Sequence, residues 1–525
     1  MSLTKRIPGE YHAVDHTRAN AVFWITSLCL IAAIIVFLLL QRLGLPTGVV
    51  IGAICAMTFS LLIILSWISR TMTSSSFFFA NRALGSFTSG IGGASDIVSG
   101  ALLVVMFSAA LTGKMVLATA VSLAVVLQAA LFSAAFQRSG VSGLPGFFAW
   151  RARSQMAGYI ALFPVGLIVT VLALAELQIA ANIAGKIAGI SVDRAFIVIL
   201  LLAVLPSLFG GWLGLLLTNA TLVVWMIVCA IAPAIATGFF APILRTAMEL
   251  DFVGTPLPVV ETFPAMSFFE SLHTSTAGNL LATILVLATG LSVLPHALSR
   301  LSTCSRPIEA MESSGWGALV IFLLLGALPL SVGLIVSDPT SSVLAVLLQS
   351  QPVLQMLPFF VVLFAAYNAL SATIFAAASA IARAANRFRN RDPGEQSVFS
   401  TRLCIGLIAV GLLVLPQHLT LSPDWLLING LALAAGSLFV PLTAGIWAGP
   451  LSSWSLGLSI VAGSIVTLIC QSPWIVFPMQ SPVLAGWLGA LTGLVVIAVD
   501  RMLRSARRQT VERDPIAHFL RQHSS

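Results

Sequence analysis

Charge is what this sequence has least of. Only 8% of its 525 residues are Asp, Glu, Lys or Arg, and just 18 are carboxylates, where an ordinary soluble domain is roughly 25% charged. With 58% hydrophobic residues, there is too little polar surface to cover a soluble fold, and that class is excluded. Metal and redox chemistry is equally thin. Five of the six cysteines (Cys29, Cys55, Cys229, Cys404 and Cys470) fall in apolar runs and Cys304 in a connection, with no close pair to suggest a metal or a disulfide. There is no His and carboxylate constellation with metal spacing and no nucleophile motif, which argues against an enzyme and against a cofactor.

What the sequence has in quantity is long apolar runs. A helix needs about 20 apolar residues to cross a hydrocarbon core of roughly 30 Å, and runs of that order recur from Ala21 to Asp500. They predict spans near 21–41, 47–69, 86–111, 116–137, 157–184, 194–209, 212–236, 276–298, 314–336, 355–384, 401–418, 424–447, 453–471 and 484–502. The result is an all-α polytopic membrane protein with about 14 transmembrane helices. The run at 194–209 is the shortest, cut by Pro206 and Gly210, and merging it with its neighbour would invert every later span.

The basic residues test that count, because loops kept in the cytoplasm carry the excess of Lys and Arg. With the N-terminus inside, the inner loops hold 21 of the 26 basic residues, including Arg151, Arg153, Arg387, Arg389, Arg391, Arg504 and Arg508. The outer loops hold Arg42, Lys114, Lys186, Arg194 and Arg245. Both termini are therefore expected in the cytoplasm of a bacterial-type inner membrane. The net charge of +8 reads as topology, with no nucleic-acid partner, and the clusters at 383–391 and 501–508 are expected against anionic lipid heads. Lys5, Arg6 and Arg18 precede a first run too long for a signal peptide, so an uncleaved anchor is expected.

Two spans differ from the rest. The third reads Ser89-Gly90-Ile91-Gly92-Gly93-Ala94-Ser95-Asp96-Ile97-Val98-Ser99-Gly100, dense enough in glycine that a continuous helix is not expected there. Broken helices at membrane depth are tolerated only where they face protein or a wet cavity, and an intramembrane carboxylate is a functional hypothesis by default. Asp96 is one such group and Glu176 is the other, each with the alternative of a structural pairing. The eighth span carries Thr289-Gly290-Leu291-Ser292 before Pro295-His296, a second place for a break, and His296 is better placed for packing or gating than as a ligand. Two interrupted spans at corresponding places point to an inverted-repeat transporter with its site near the midplane. The repeats are expected at 86–236 and 276–447. Flanking them are a tail (1–20), two extra helices with their loop (21–85), an outer loop (237–275), two C-terminal helices (448–502) and a tail (503–525).

The motifs resemble those of the sodium/solute symporter family, which includes proline, acetate and sugar symporters. Phe78-Phe79-Ala80-Asn81-Arg82-Ala83-Leu84-Gly85 is similar to its aromatic, Ala-Gly-Arg, Leu-Gly lead into the first core helix. Ala94-Ser95-Asp96 with Ser99-Gly100 resembles its Ser-Asp-Met-Ser-Gly stretch, and Leu144-Pro145-Gly146-Phe147-Phe148 its Leu-Pro-Glu-Phe loop. Gly210-Gly211 before Thr218-Asn219 matches a Gly-Gly to Thr-Asp spacing, and Leu294-Pro295-His296 with Arg300 a Pro-His-x-x-x-Arg signature. The resemblance implies a 5+5 inverted-repeat, leucine-transporter-like core and a sodium site at Ala94, Asp96, Ile97, Ala365, Asn368 and Ala369. The chain departs from the family where it matters. Asn219 stands for the Asp of the Thr-Asp pair, and Asn368 and Ala369 stand for the Ser-Thr pair, although sodium takes about five or six oxygens and favours a carboxylate, as hard cations do. Ser371 and Thr373 are the nearest replacement hydroxyls.

The coupling ion is accordingly sodium or a proton, the latter carried by Asp96 or Glu176. Gly92, Gly93, Asn219, Ser292, Pro295 and His296 are the candidate substrate and gating residues. Secondary active symport of a small organic solute, nearest to the monocarboxylate branch, is the leading expectation. Since no Arg is expected at membrane depth to clamp a carboxylate, half-helix N-termini would have to hold one. The alternative is a non-transporting sensor whose small membrane or signalling partner is a separate protein. Asp96→Asn is expected to abolish uptake and leave the fold intact.

Overall fold

The computed structural model describes residues 17–506 except 83, 109–110, 237–274, 337–351, 389–394, 416–420, 450, 453 and 473–480, together with 516 and 519. The expected tails and the outer loop at 237–275 lie almost wholly outside the described residues. Every secondary-structure element among the described residues is helical. Helices α1 (Thr17–Arg42), α2 (Thr47–Ile68) and the short α3 (Ser74–Phe79) lead into α4 (Ser86–Ile97), α5 (Gly100–Ser108), α6 (Leu111–Leu127) and α7 (Ala134–Ser139). Helices α8 (Leu144–Arg151), α9 (Gln155–Ala188) and α10 (Val192–Ala236) follow. After the connection come α11 (Ala277–Ser292), α12 (Pro295–Leu301), α13 (Pro307–Val336), α14 (Pro352–Phe388) and α15 (Glu395–Val414). The chain closes with α16 (Pro423–Ala434), α17 (Val440–Trp447), α18 (Ser455–Gln471) and α19 (Pro482–Ala506).

Among the described residues ten helices are long and apolar enough to cross a membrane, and counting each of two bent helix pairs as one span makes 12. The expected 14 are reached through α10 and α18. As a straight rod the 45 residues of α10 would run about 68 Å, more than twice the roughly 30 Å core. It is not straight: Gly211 adopts φ 58°, ψ −137°. A Cβ on Gly214 would lie 2.6 Å from the carbonyl oxygen of Pro206, although eight residues of straight helix span about 12 Å. The chain thus folds back on itself at Gly210-Gly211, giving two spans where the sequence predicts them, and the shorter apolar α18 completes the set.

The hairpin leaves the last carbonyls of its first limb without helical partners, and Arg402 of α15 supplies them. Its guanidinium donates to Leu208 O (2.8 Å) and Thr71 O (2.7 Å), a cation at a helix C-terminus where the dipole favours one. Any side chain at position 211 would be strained by the positive φ and would meet the Phe77 backbone. Gly211→Ala should lower stability by at least about 1–3 kcal/mol, read as an earlier thermal transition of the purified protein.

Burial ranks the helices. In α14, 94% of the most apolar stretch is buried, against 22% in α1, so α14 forms the axis of the bundle and α1 lies on its outside. The first span is nevertheless tied to the core: Thr88 donates to the Asn20 side chain (3.0 Å) and Trp24 stacks on Phe87. Between helices the contacts are made at small residues, as in membrane bundles generally. Gly100 of α5 meets Ala366 of α14, and Gly290 of α11 meets the Leu431 backbone of α16.

Both breaks are present, and the first falls within the stretch from Ser89 to Gly100 where it was expected. The stretch is helical through Ile97 and is interrupted near its end, at Val98 and Ser99, where α4 and α5 meet at 62°. The glycines serve close approach instead of unwinding. Gly90 lies against Ser313 O and Trp316 of α13, Gly92 against Leu216 O of α10, and a Cβ on Gly93 would fall on the Arg300 guanidinium. The second break is at Val293 and Leu294, with α11 and α12 bent by 47° before Pro295.

Candidate functional site

The two broken spans are bonded to each other across the bundle. Asp96 sits in the last turn of α4, and its Oδ2 accepts from Arg300 Nε of α12 at 2.8 Å, both side chains being at most 3% exposed. Arg300 Nη1 also donates to Ser89 O at 2.7 Å, so one guanidinium spans two turns of α4 over the bare backbone of Gly93. The Asp96 carbonyl, left free by the end of α4, lies 3.0 Å from His296 Nε2. A carbonyl only accepts, so that contact assigns a proton to Nε2, and Nδ1 is buried with no hydrogen-bond partner among the described residues. The second oxygen of Asp96, Oδ1, is likewise buried and unpartnered.

Arg300 corrects one expectation. A buried arginine does stand at a helix break, and it clamps a carboxylate of the chain itself. The family-implied assignment of Asp96 to a cation leaves one carboxylate oxygen for that purpose, since the other is held by Arg300.

Glu176 of α9 takes a different role. It is 2% exposed and meets the N-terminus of α5, where Ala101 N–H donates to Oε2 at 3.2 Å and to Oε1 at 3.4 Å. Ser99 caps the same half-helix by accepting from Leu102 N–H at 3.2 Å. The amides exposed by the break are thus answered by a carboxylate from another span, in the arrangement that a helix N-terminus favours.

A third group converges on the first break from α10 and α14. Two aromatic rungs join those helices: Trp212 to Phe375, with ring centroids 5.2 Å apart, and Trp225 to Phe364 at 6.0 Å. One series rises as the other falls, so the second limb of α10 and α14 run antiparallel, and interpolation between the rungs sets Asn219 level with residues 368–369. Asn219 Oδ1 and both side-chain polar atoms of Asn368 are buried with no hydrogen-bond partner among the described residues. The close approaches of Gly92 to Leu216 O and Ala220 N, and of Gly100 to Ala366, bring the α4–α5 break to the same level.

The expected cation ligands Ala94, Ile97, Ala365, Asn368 and Ala369 therefore lie around one locus, together with Asn219. Several donors and acceptors there are already engaged. Ala94 O accepts from Val98 N–H, and Ile97 O from Ser99 N–H. Ser371 donates to Asn368 O at 2.9 Å and Thr373 to Ala369 O at 2.8 Å, so the two hydroxyls are turned back on their own helix. Ser292 does the same, donating to Thr289 O at 2.9 Å. Pro295 opens α12 at its first turn, where a missing N–H is harmless. Ser89, Ser99 and Arg300 all stand in stretches that the sequence singled out, but the contacts of Arg300 to Asp96 and Ser89 depend on residues brought close only by the fold.

The chain matches no family model and no curated protein. Among solved structures it is similar to a substrate-bound, outward-open Na+-coupled sialic acid symporter, with a TM-score of 0.64 at 14% identity over 86% of this chain and 97% of that one. It is also similar to MHP1, a nucleobase-cation-symport-1 family transporter in a closed conformation with bromovinylhydantoin bound, with a TM-score of 0.52 at 14% identity over 85% of this chain and 97% of that one. The fold is an all-α polytopic membrane bundle with a 5+5 inverted-repeat, leucine-transporter-like core.

Proposed function

We propose that this protein is a secondary active transporter that couples a monovalent cation to symport of a small organic solute by alternating access. The observation that carries the reading is the convergence of the α4–α5 break with Asn219 and Asn368: Oδ1 of the first and both side-chain polar atoms of the second are buried without a hydrogen-bond partner among the described residues. An unsatisfied buried polar atom costs about 1–3 kcal/mol, and such atoms gathered beside an unwound segment suit an ion or polar solute that comes and goes. The likeness to both of these transporters, over nearly their whole length, supports the same reading.

Sodium is the favoured ion. The Asn219 and Asn368 amide oxygens, the free Asp96 Oδ1 and the carbonyls at the end of α4 would form a site of low charge. Glu176 is the group that would carry a proton instead. It also bears on the solute. A carboxylate solute would need amide-rich half-helix ends, and the end of α5 is already filled by Glu176, which favours a neutral or cationic solute over the monocarboxylate suggested by resemblance. The protein would sit in a bacterial-type inner membrane with both termini in the cytoplasm, as its basic residues suggest.

The test is uptake of labelled amino acids, sugars, amines and carboxylates into proteoliposomes under an imposed sodium or pH gradient. Sodium-driven accumulation is expected, and Asn219→Asp should lower the half-saturating sodium concentration by about tenfold, the equivalent of about 1.4 kcal/mol. Accumulation driven only by a pH gradient would move the coupling to Glu176, and no accumulation of any solute would overturn the transport reading in favour of a sensor.

A further inference from the structure

A second polar cavity lies away from the two breaks, between the α7–α8 loop, the start of α9 and the end of α14. Its volume is about 140 Å³ and its lining includes Ser142, Tyr159, Arg383 and Arg387, with no carboxylate among the lining residues. The cavity carries two guanidinium groups, and among the described residues neither forms an ion pair. Arg383 is held in place by stacking, its Cζ 4.0 Å from the centre of the Phe78 ring, an attraction that fixes the plane of the guanidinium and leaves its edges free. Its Nε is buried without a hydrogen-bond partner. Across the cavity, Ser142 is 95% buried, given its 5% exposure, and its Oγ is also without a partner.

These features come from three separate elements and share one sense. Every unspent group is a hydrogen-bond donor or can act as one, and the fixed charges are positive. Gly146 contributes by what it lacks. A Cβ there would stand 3.7 Å from Arg387 Nη2, with nothing nearer, so the position has room for a side chain, and a carboxylate on it would reach the arginine.

We infer that this cavity binds a phosphate group, held by Arg383 and Arg387 with Ser142 as a third donor. Phosphate matches donors diverging from three directions, because its several oxygens can accept from two guanidinium groups and a hydroxyl at once. The position at one end of the bundle, where α14 ends, admits two sources: the headgroup of an anionic phospholipid, or a free phosphate from the aqueous side. The site stands independently of the transport reading, and its test needs no uptake.

The experiment compares wild type with Gly146→Glu, which places the chain's own carboxylate in the cavity, and with Arg387→Gln, at an exposed position where loss of fold is not expected. Two probes are used on the intact protein: retention of phosphatidylglycerol from mixed phosphatidylcholine nanodiscs, counted by native mass spectrometry, and stabilisation by inorganic phosphate in detergent against chloride of equal ionic strength. Saturable binding of one probe that weakens at least about tenfold in both variants is expected. Loss confined to phosphatidylglycerol identifies a lipid headgroup, and loss for inorganic phosphate identifies a soluble ligand. Wild type that binds neither probe saturably, or variants that stay within about twofold of wild type, would overturn the inference.

Discussion

Asp96→Ala is expected to destabilise the protein by about 3–5 kcal/mol, because it leaves Arg300 charged and buried with no anion. Sequence alone leads to the expectation that Asp96→Asn stops uptake and spares the fold; the ion pair adds an expected cost to the fold when the carboxylate is removed. A carboxylate and a guanidinium that are both nearly inaccessible, 2.8 Å apart, are stable only as a pair. Arg300 Nη1 would still reach Ser89 O, but a carbonyl does not replace a full negative charge. Removing both partners is a different matter, since a buried ion pair exchanged for apolar residues of similar volume is often close to neutral. Asp96→Ala combined with Arg300→Met should therefore recover most of the loss. Thermal melts of the two single variants and the double variant in the same detergent give the coupling energy directly. If the double variant is no more stable than Asp96→Ala, the pair does not bind the two broken spans together.

The same pair explains Gly93. A methyl group at that position would occupy the space of the guanidinium, so the residue is glycine for the sake of a side chain 207 positions later in the chain. This marks the boundary of what the sequence could reveal. Spans, breaks and the hairpin were legible because each is signalled locally: apolar runs of membrane length, Pro295 after Ser292, and Gly210-Gly211 after Pro206. The glycines of α4 were legible as unusual, but their meaning was not. Glycine weakens helices, so local reasoning reads a cluster of it as unwinding. Close packing against α13, α10 and Arg300 is a tertiary cause, and it is the one that operates here. Asn219 and Asn368 were found by register alone, and only the fold adds that they are level with each other and that their side-chain oxygens have no partner among the described residues.

Glu176 marks that boundary most clearly, because its environment comes from a segment 75 positions away, and it supports the second large effect. Glu176→Gln keeps the shape of the side chain and its ability to accept from Ala101 N–H, but it removes the negative charge at the N-terminus of α5 and turns an amide N–H toward the half-helix. A helix N-terminus carries about half a positive charge, and inside a membrane bundle no water stands ready to answer it. In the proposed transporter this change should reduce uptake of the preferred solute on the order of a hundredfold, about 2.7 kcal/mol. It should also leave the α5 amides open to an anion from outside. Small carboxylates that hardly compete with uptake in wild type should then inhibit the residual activity of the variant. Competition assays with acetate and larger monocarboxylates on both proteins decide the point. If carboxylates already compete strongly in wild type and Glu176→Gln does not change that, then Glu176 does not fill the position a carboxylate solute would need, and the monocarboxylate reading regains its place.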